Sequence, residues 1–68
     1  MKYQDAIDAL KEVIRKKKSR LAKLRAMADA FYDADSAITN PYDASIEIVK
    51  DEIYRLNYAI LVLEIDAQ

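Results

Sequence analysis

The sequence predicts an all-α fold, an antiparallel two-helix hairpin with a coiled-coil-like seam. The chain of 68 residues has no glycine and one proline, which leaves little material for tight turns or strand connections. Both halves carry apolar residues in alternating steps of three and four, the spacing of packed helices. One clear break, Thr39–Pro41, separates them. We therefore expect a single helical-hairpin domain spanning residues 1–68.

Helix 1 is predicted over residues 3–38, since neither glycine nor proline interrupts it. Two polar residues, Lys17 and Asp35, stand at seam positions. The stem of Lys17 can pack while its ammonium reaches Glu64 or solvent, or a lone polar residue there can select the helix register. The apolar seam positions of helix 1 are Tyr3, Ile7, Leu10, Ile14, Leu21, Leu24, Ala28, Phe31 and Ile38.

A loop at residues 39–40 and a second helix over 41–67 follow from the break. Asn40 suits an N-cap, and Pro41 is tolerated at the first position of a helix. A loop this short makes the helices antiparallel. With Ile38 opposite Tyr42, helix 2 would run out near the level of Ile14.

The first residues of helix 1 would then project beyond the end of helix 2. Three large side chains, Tyr3, Ile7 and Leu10, would lack an intramolecular partner, and exposing them is unfavourable. We therefore predict that they contact another molecule.

Helix 2 carries two apolar stripes on nearly opposite sides. One is the seam toward helix 1. The other lies nearly opposite it at about 100° per residue, so one partner helix cannot cover both stripes. The plain expectation is an oligomer interface, giving a four-helix bundle as a homodimer or a higher oligomer. A docking face for a different protein is the alternative. The second stripe comprises Tyr54, Tyr58, Leu61, Val62 and Ile65.

Charge is divided along the chain. Residues 1–25 hold nine Lys or Arg against three Asp or Glu, whereas residues 26–68 hold two against nine. Such a basic stretch, Lys11 to Arg25, could bind an anionic partner, a nucleic acid or a nucleotide. The competing interpretations are a solvated face or pairing between subunits. The candidate anion-binding residues are Arg15, Lys16, Lys18, Arg20, Lys23 and Arg25.

Catalysis is not expected. The chain has neither histidine nor cysteine, so the commonest general base, the thiolate nucleophile and the usual zinc ligands are missing. Carboxylate pairs such as Glu47 and Asp51 share a helix face but lie outside both seams, where solvated carboxylates are usual. We predict no catalytic residue, no metal site and no cofactor.

Composition also bears on location. No apolar run is long enough to span a membrane, and acidic residues rather than basic ones neighbour the second stripe, which disfavours a membrane surface. We expect a cytoplasmic, non-enzymatic interaction or assembly module that self-associates through apolar helix faces. A small regulator or inhibitor of a larger protein fits the same features.

Overall fold

The computed structural model describes residues 2–31 and 40–68, and within these it contains two α-helices and no strand. They are α1 (Gln4–Phe31) and α2 (Asp43–Asp66), and they pack against each other. The chain runs antiparallel, because Tyr3 at the start of α1 contacts Asp66 at the end of α2. The predicted helical hairpin is thus confirmed. The predicted part of helix 1 at 32–38 and the loop position Thr39 lie outside the described residues.

The side chain of Asn40 ties the start of α2 to the end of α1. Its Oδ1 accepts a hydrogen bond from the backbone N–H of Tyr42 at 3.0 Å, and its Nδ2 donates to the Ala28 carbonyl at 2.8 Å. The N-cap position itself is occupied by Tyr42, whose side chain makes no capping bond. The predicted N-cap, Asn40, therefore lies two residues before the observed one. Its side-chain oxygen still accepts a backbone N–H just before the first residue of α2.

The buried core follows the seam between the helices, and its one cluster of buried residues lies in the half of the hairpin that contains both chain ends. Ile7, Ile14 and Ile60 form a buried cluster. Leu24, Ala28, and Val49 on α2, are also buried nearer the connection. Two helices share only one line of contact, so each buries a narrow stripe. The half-buried residues packed against the isoleucine cluster are Tyr3, Leu10, Ile53, Leu56 and Leu63.

The predicted N-terminal overhang is wrong. Ile7 is 1% exposed, and Tyr3 and Leu10 pack against the core cluster. The cause is the helix register: Phe31 lies against Tyr42, the position at which Ile38 was expected, with the two ring centroids 6.3 Å apart. This difference of seven residues, about two helical turns, carries the end of α2 to the level of Tyr3.

Lys17 occupies the seam as predicted, but its partner differs. Its Nζ lies 2.9 Å from a carboxylate oxygen of Glu52, and both side chains are partly exposed. The predicted partner, Glu64, instead lines a groove together with Lys11, Arg15 and Lys18, because the register carries it toward the N-terminus of α1. The alkyl stem of Lys17 packs in the seam, while its ammonium pairs with Glu52 at the edge of the seam.

The burial of Ile7 predicts a large effect of its truncation. We expect Ile7→Ala to lower the free energy of unfolding by about 2–5 kcal/mol, through lost apolar contact and a residual cavity. Chemical denaturation followed by circular dichroism measures this. Ile48→Ala is the matched control, since Ile48 is 61% exposed, and it should stay within about 0.5 kcal/mol of the parent chain. Equal effects of the two substitutions would contradict this register.

Candidate functional site

Five large side chains of α2 remain exposed on the side away from α1. We call this surface the outer face, and its residues are those of the predicted second stripe. Their exposed fractions run from 46% to 70%, so α1 covers little of them. The structure thus leaves the outer face free within one chain. Its members are Tyr54, Tyr58, Leu61, Val62 and Ile65.

The outer face is exposed because of helix geometry. At about 100° per residue, the seam residues Val49 and Ile60 lie roughly 100–160° around the helix from Leu61 and Ile65. An exposed isoleucine near the start of α2, Ile48, was missed by the sequence analysis. It lies about 100° from the centre of the outer face, so it follows neither stripe.

Charged residues flank the outer face. Arg55 donates to Asp51 across one turn, with a nitrogen–oxygen distance of 2.9 Å. On the same helix Lys50 and Glu47 lie 3.3 Å apart. Such exposed pairs within a helix contribute little to stability. They leave charged groups beside an apolar surface, an arrangement typical of an interface rim.

The N-terminal residues assigned to an interface belong to the hairpin instead. Because Ile7 is buried and Tyr3 and Leu10 pack on the core, the reason for assigning them to contact with another molecule is lost. Tyr3 adopts a left-handed backbone conformation with φ of 65°, which is unfavourable for a residue with a bulky side chain. Its carbonyl accepts the N–H of Ile7 at 2.9 Å, at the start of α1.

Tyr3 closes the open end of the hairpin. Its hydroxyl donates to Asp66 Oδ2 at 2.7 Å, and the ammonium of Lys2 lies 4.9 Å from the centre of its ring. The hydrogen bond to Asp66 raises the pKa of the Tyr3 hydroxyl, with smaller contributions from desolvation and from the Asp66 charge. Ionised Tyr3 would face a carboxylate without a proton to donate, so the contact requires the neutral hydroxyl.

The six predicted anion-binding residues separate into two groups. Lys18 and Arg25 border a groove between the helices with a volume of about 510 Å³. Arg15, Lys16, Arg20 and Lys23 line a separate surface of α1. We call the first site the inter-helix groove, and it is lined by Lys18, Leu21, Ala22, Arg25, Lys50, Ile53, Tyr54 and Asn57.

Helix α2 supplies half of the lining of the inter-helix groove, and the sequence analysis missed this contribution. Lys50, Tyr54 and Asn57 recur at steps of four and three beside the seam residue Ile53. A search of the sequence for residues at these steps beside the α2 seam would have identified Lys50, Tyr54 and Asn57. Their pairing with the flank of α1 that carries Lys18, however, required the register.

Arg15 is already paired. Its Nε and a terminal nitrogen donate to the two carboxylate oxygens of Glu12 at 3.0 and 2.7 Å. These hydrogen bonds, together with the charges of Arg15 and Lys16, lower the pKa of Glu12. A guanidinium held by both of its neighbour's oxygens has fewer donors left for a ligand. Arg15 is therefore a weaker anion-binding candidate than Lys18 or Arg25.

Within residues 2–31 and 40–68, neither helix combines the length and apolar content needed to cross a membrane. In the same segments no three carboxylates gather closely enough to hold a metal ion. No protein-family model, curated protein or solved structure matches the chain.

The Tyr3–Asp66 contact predicts a specific titration. The raised pKa of folded Tyr3 means that the contact stabilises the hairpin fully below about pH 10. This contribution is lost as the pH rises through the raised value. Asp66→Asn should shift the titration of Tyr3 to lower pH, as measured by ¹³C NMR of the tyrosine ring. Asp51→Asn, which removes a carboxylate remote from Tyr3, should leave it unchanged. An unaltered Tyr3 titration in Asp66→Asn would contradict the contact.

Proposed function

We propose that this chain is a non-enzymatic assembly module that pairs with a second copy of itself through the outer face of α2. The observation that carries the proposal is the continuous exposure of five large apolar or aromatic side chains along one side of this helix. Burying such side chains stabilises an assembly by about 1.5–3 kcal/mol for each large residue that becomes fully covered. A hairpin with a thin core gains more from this than a larger domain does.

The spacing of the outer face favours a copy of the same chain. Tyr54, Tyr58, Leu61 and Ile65 follow one another in steps of four, three and four, an order that is the same in both directions. A twofold axis perpendicular to the helix reverses the order of residues, so this stripe is complementary to itself. Tyr54 would pack against the partner's Ile65, and Tyr58 against the partner's Leu61.

Charge on the rim supports the same arrangement. In an antiparallel pair, a twofold axis keeps each flank of one helix beside the equivalent flank of the other. Arg55 and Asp66 lie on the same flank of the outer face, about 20° apart around the helix, and both side chains are exposed. Arg55 of one copy would therefore lie near the partner's Asp66, which favours this orientation and speeds encounter. Two hairpins joined in this way give a four-helix assembly with the two α2 helices at its centre.

The competing possibility is that the outer face binds a different protein. The chain would then act as a regulator or inhibitor of a larger protein. An amphipathic helix can dock in the groove of a different protein by the same kind of stripe. The self-complementary spacing is not required for such docking, so it favours the second copy. The measured mass of the purified chain distinguishes these outcomes.

Sedimentation of the full chain tests pairing. We expect the mass of a dimer, or of a multiple of a dimer, and we expect Ile65→Asp to give a helical monomer because a buried, unpaired carboxylate is costly. Ile48→Asp is a matched control on the same helix. Ile48 and Ile65 are 61% and 59% exposed, but Ile48 lies outside the outer face that would be buried between the two copies. A monomeric parent chain that is fully helical would overturn the proposal, as would equal dissociation by both variants.

Disulfide cross-linking tests the antiparallel orientation, since the chain contains no cysteine of its own. A mixture of Tyr54→Cys and Ile65→Cys should cross-link as a heterodimer faster than either variant alone. In the antiparallel pair, identical positions at 54 lie about 16 Å apart along the axis at 1.5 Å per residue, too far for a disulfide. Rapid cross-linking of each variant with itself would instead indicate a parallel pair.

A further inference from the structure

The inter-helix groove brings cations from both helices to one place. Lys18 and Arg25 border it from α1, and Lys50 borders it from α2. Among the described residues that line this groove there is no carboxylate, so three positive charges border a volume of about 510 Å³. Glu64 lines an adjoining groove that shares Lys18 and Asn57. Like charges placed close together repel one another unless an anion neutralises them.

The cations of the inter-helix groove are largely uncommitted. Within the described segments, neither Lys18 nor Arg25 has a carboxylate oxygen within 4.0 Å. Lys50 contacts Glu47 at 3.3 Å, where both side chains are well exposed, and such a pair is easily exchanged for a ligand. Arg25 can offer two parallel N–H donors to phosphate oxygens, and the lysines add mobile point charges.

The remainder of the groove is suited to an uncharged planar group. Leu21 and Ile53 line it with aliphatic surface, Tyr54 contributes an aromatic ring, and Asn57 an amide that can donate and accept hydrogen bonds. Its volume lies within the range of small-molecule sites, about 300–1,000 Å³. Phosphate-binding cations beside an aromatic ring and an amide are the groups that a nucleotide requires.

We propose that the inter-helix groove binds a nucleotide. Its phosphates contact Lys18, Arg25 and Lys50, while its base packs against Tyr54 and hydrogen-bonds to Asn57. This inference does not require two chains to pair, because the three cations lie outside the outer face. Tyr54 belongs to both surfaces, so its ring would contact both the base and the partner chain in a pair.

A nucleic-acid strand fits the charge distribution less well. Strong binding to a polymer requires several cations that follow one face of the protein. Here Lys16, Arg20 and Lys23 lie on a separate surface of α1, so a strand bound along the groove would have to turn across α1 to contact them. The uncommitted cations of the groove are sufficient for the phosphates of one nucleotide.

Calorimetric titration of the full-length chain with ATP tests this site. We expect one ATP per chain, an affinity that falls as salt rises, and weaker binding of both adenosine and tripolyphosphate, since each lacks one half of the recognised groups. Lys18→Gln combined with Lys50→Gln should weaken ATP binding about tenfold or more, through two lost charge-assisted hydrogen bonds. Circular dichroism verifies that both helices persist in the variant.

The control is Lys16→Gln combined with Lys23→Gln, which removes the same charge from the separate surface of α1. It should change the affinity for ATP by less than about twofold. Three results would overturn the proposal: no binding of ATP at low salt, equal weakening by the two double variants, or binding of a single-stranded oligonucleotide in the absence of any binding of ATP.

Discussion

The contact of Ile7 and Ile14 with Ile60 is the interaction on which the rest of the structure depends. These three residues form the buried cluster of the hairpin, and burying them requires the end of α2 to reach the start of α1. Once that register is adopted, Tyr3 meets Asp66 and Lys18 shares a groove with Asn57. The end contact and the groove are therefore consequences of one alignment.

A two-helix hairpin can cover only one side of each helix, and this limit explains the surfaces that we propose to be functional. The side of α2 that packs on α1 buries Val49 and Ile60, while Tyr58 and Leu61 stay more than half exposed. Each helix also presents two flanks beside the seam. One pair of flanks brings Lys18, Arg25 and Lys50 together, so the apolar outer face and the cationic groove lie on adjacent sides of α2 and share Tyr54.

The sequence analysis failed on register for a physical reason. A seam of alternating threes and fours repeats every seven residues, so sliding one helix by seven aligns the apolar stripes equally well. The difference between the expected pair of Ile38 with Tyr42 and the observed pair of Phe31 with Tyr42 is one such repeat. Periodicity cannot distinguish the two alignments. The expected pairing of Ile38 with Tyr42 selected the wrong one and produced the false overhang at Tyr3, Ile7 and Leu10.

By itself, the sequence determined the two helices, the seam position of Lys17 and the outer face of α2, because each follows from local spacing and from the absence of glycine. The antiparallel packing of the helices was predicted from the short break at Thr39–Pro41. Only the tertiary structure decided which residues meet across the seam. Lys18 and Lys50 lie far apart in the chain, and their convergence on one groove depends on the alignment of two helices. Such an alignment is a property of packing between elements, which spacing within either element does not encode.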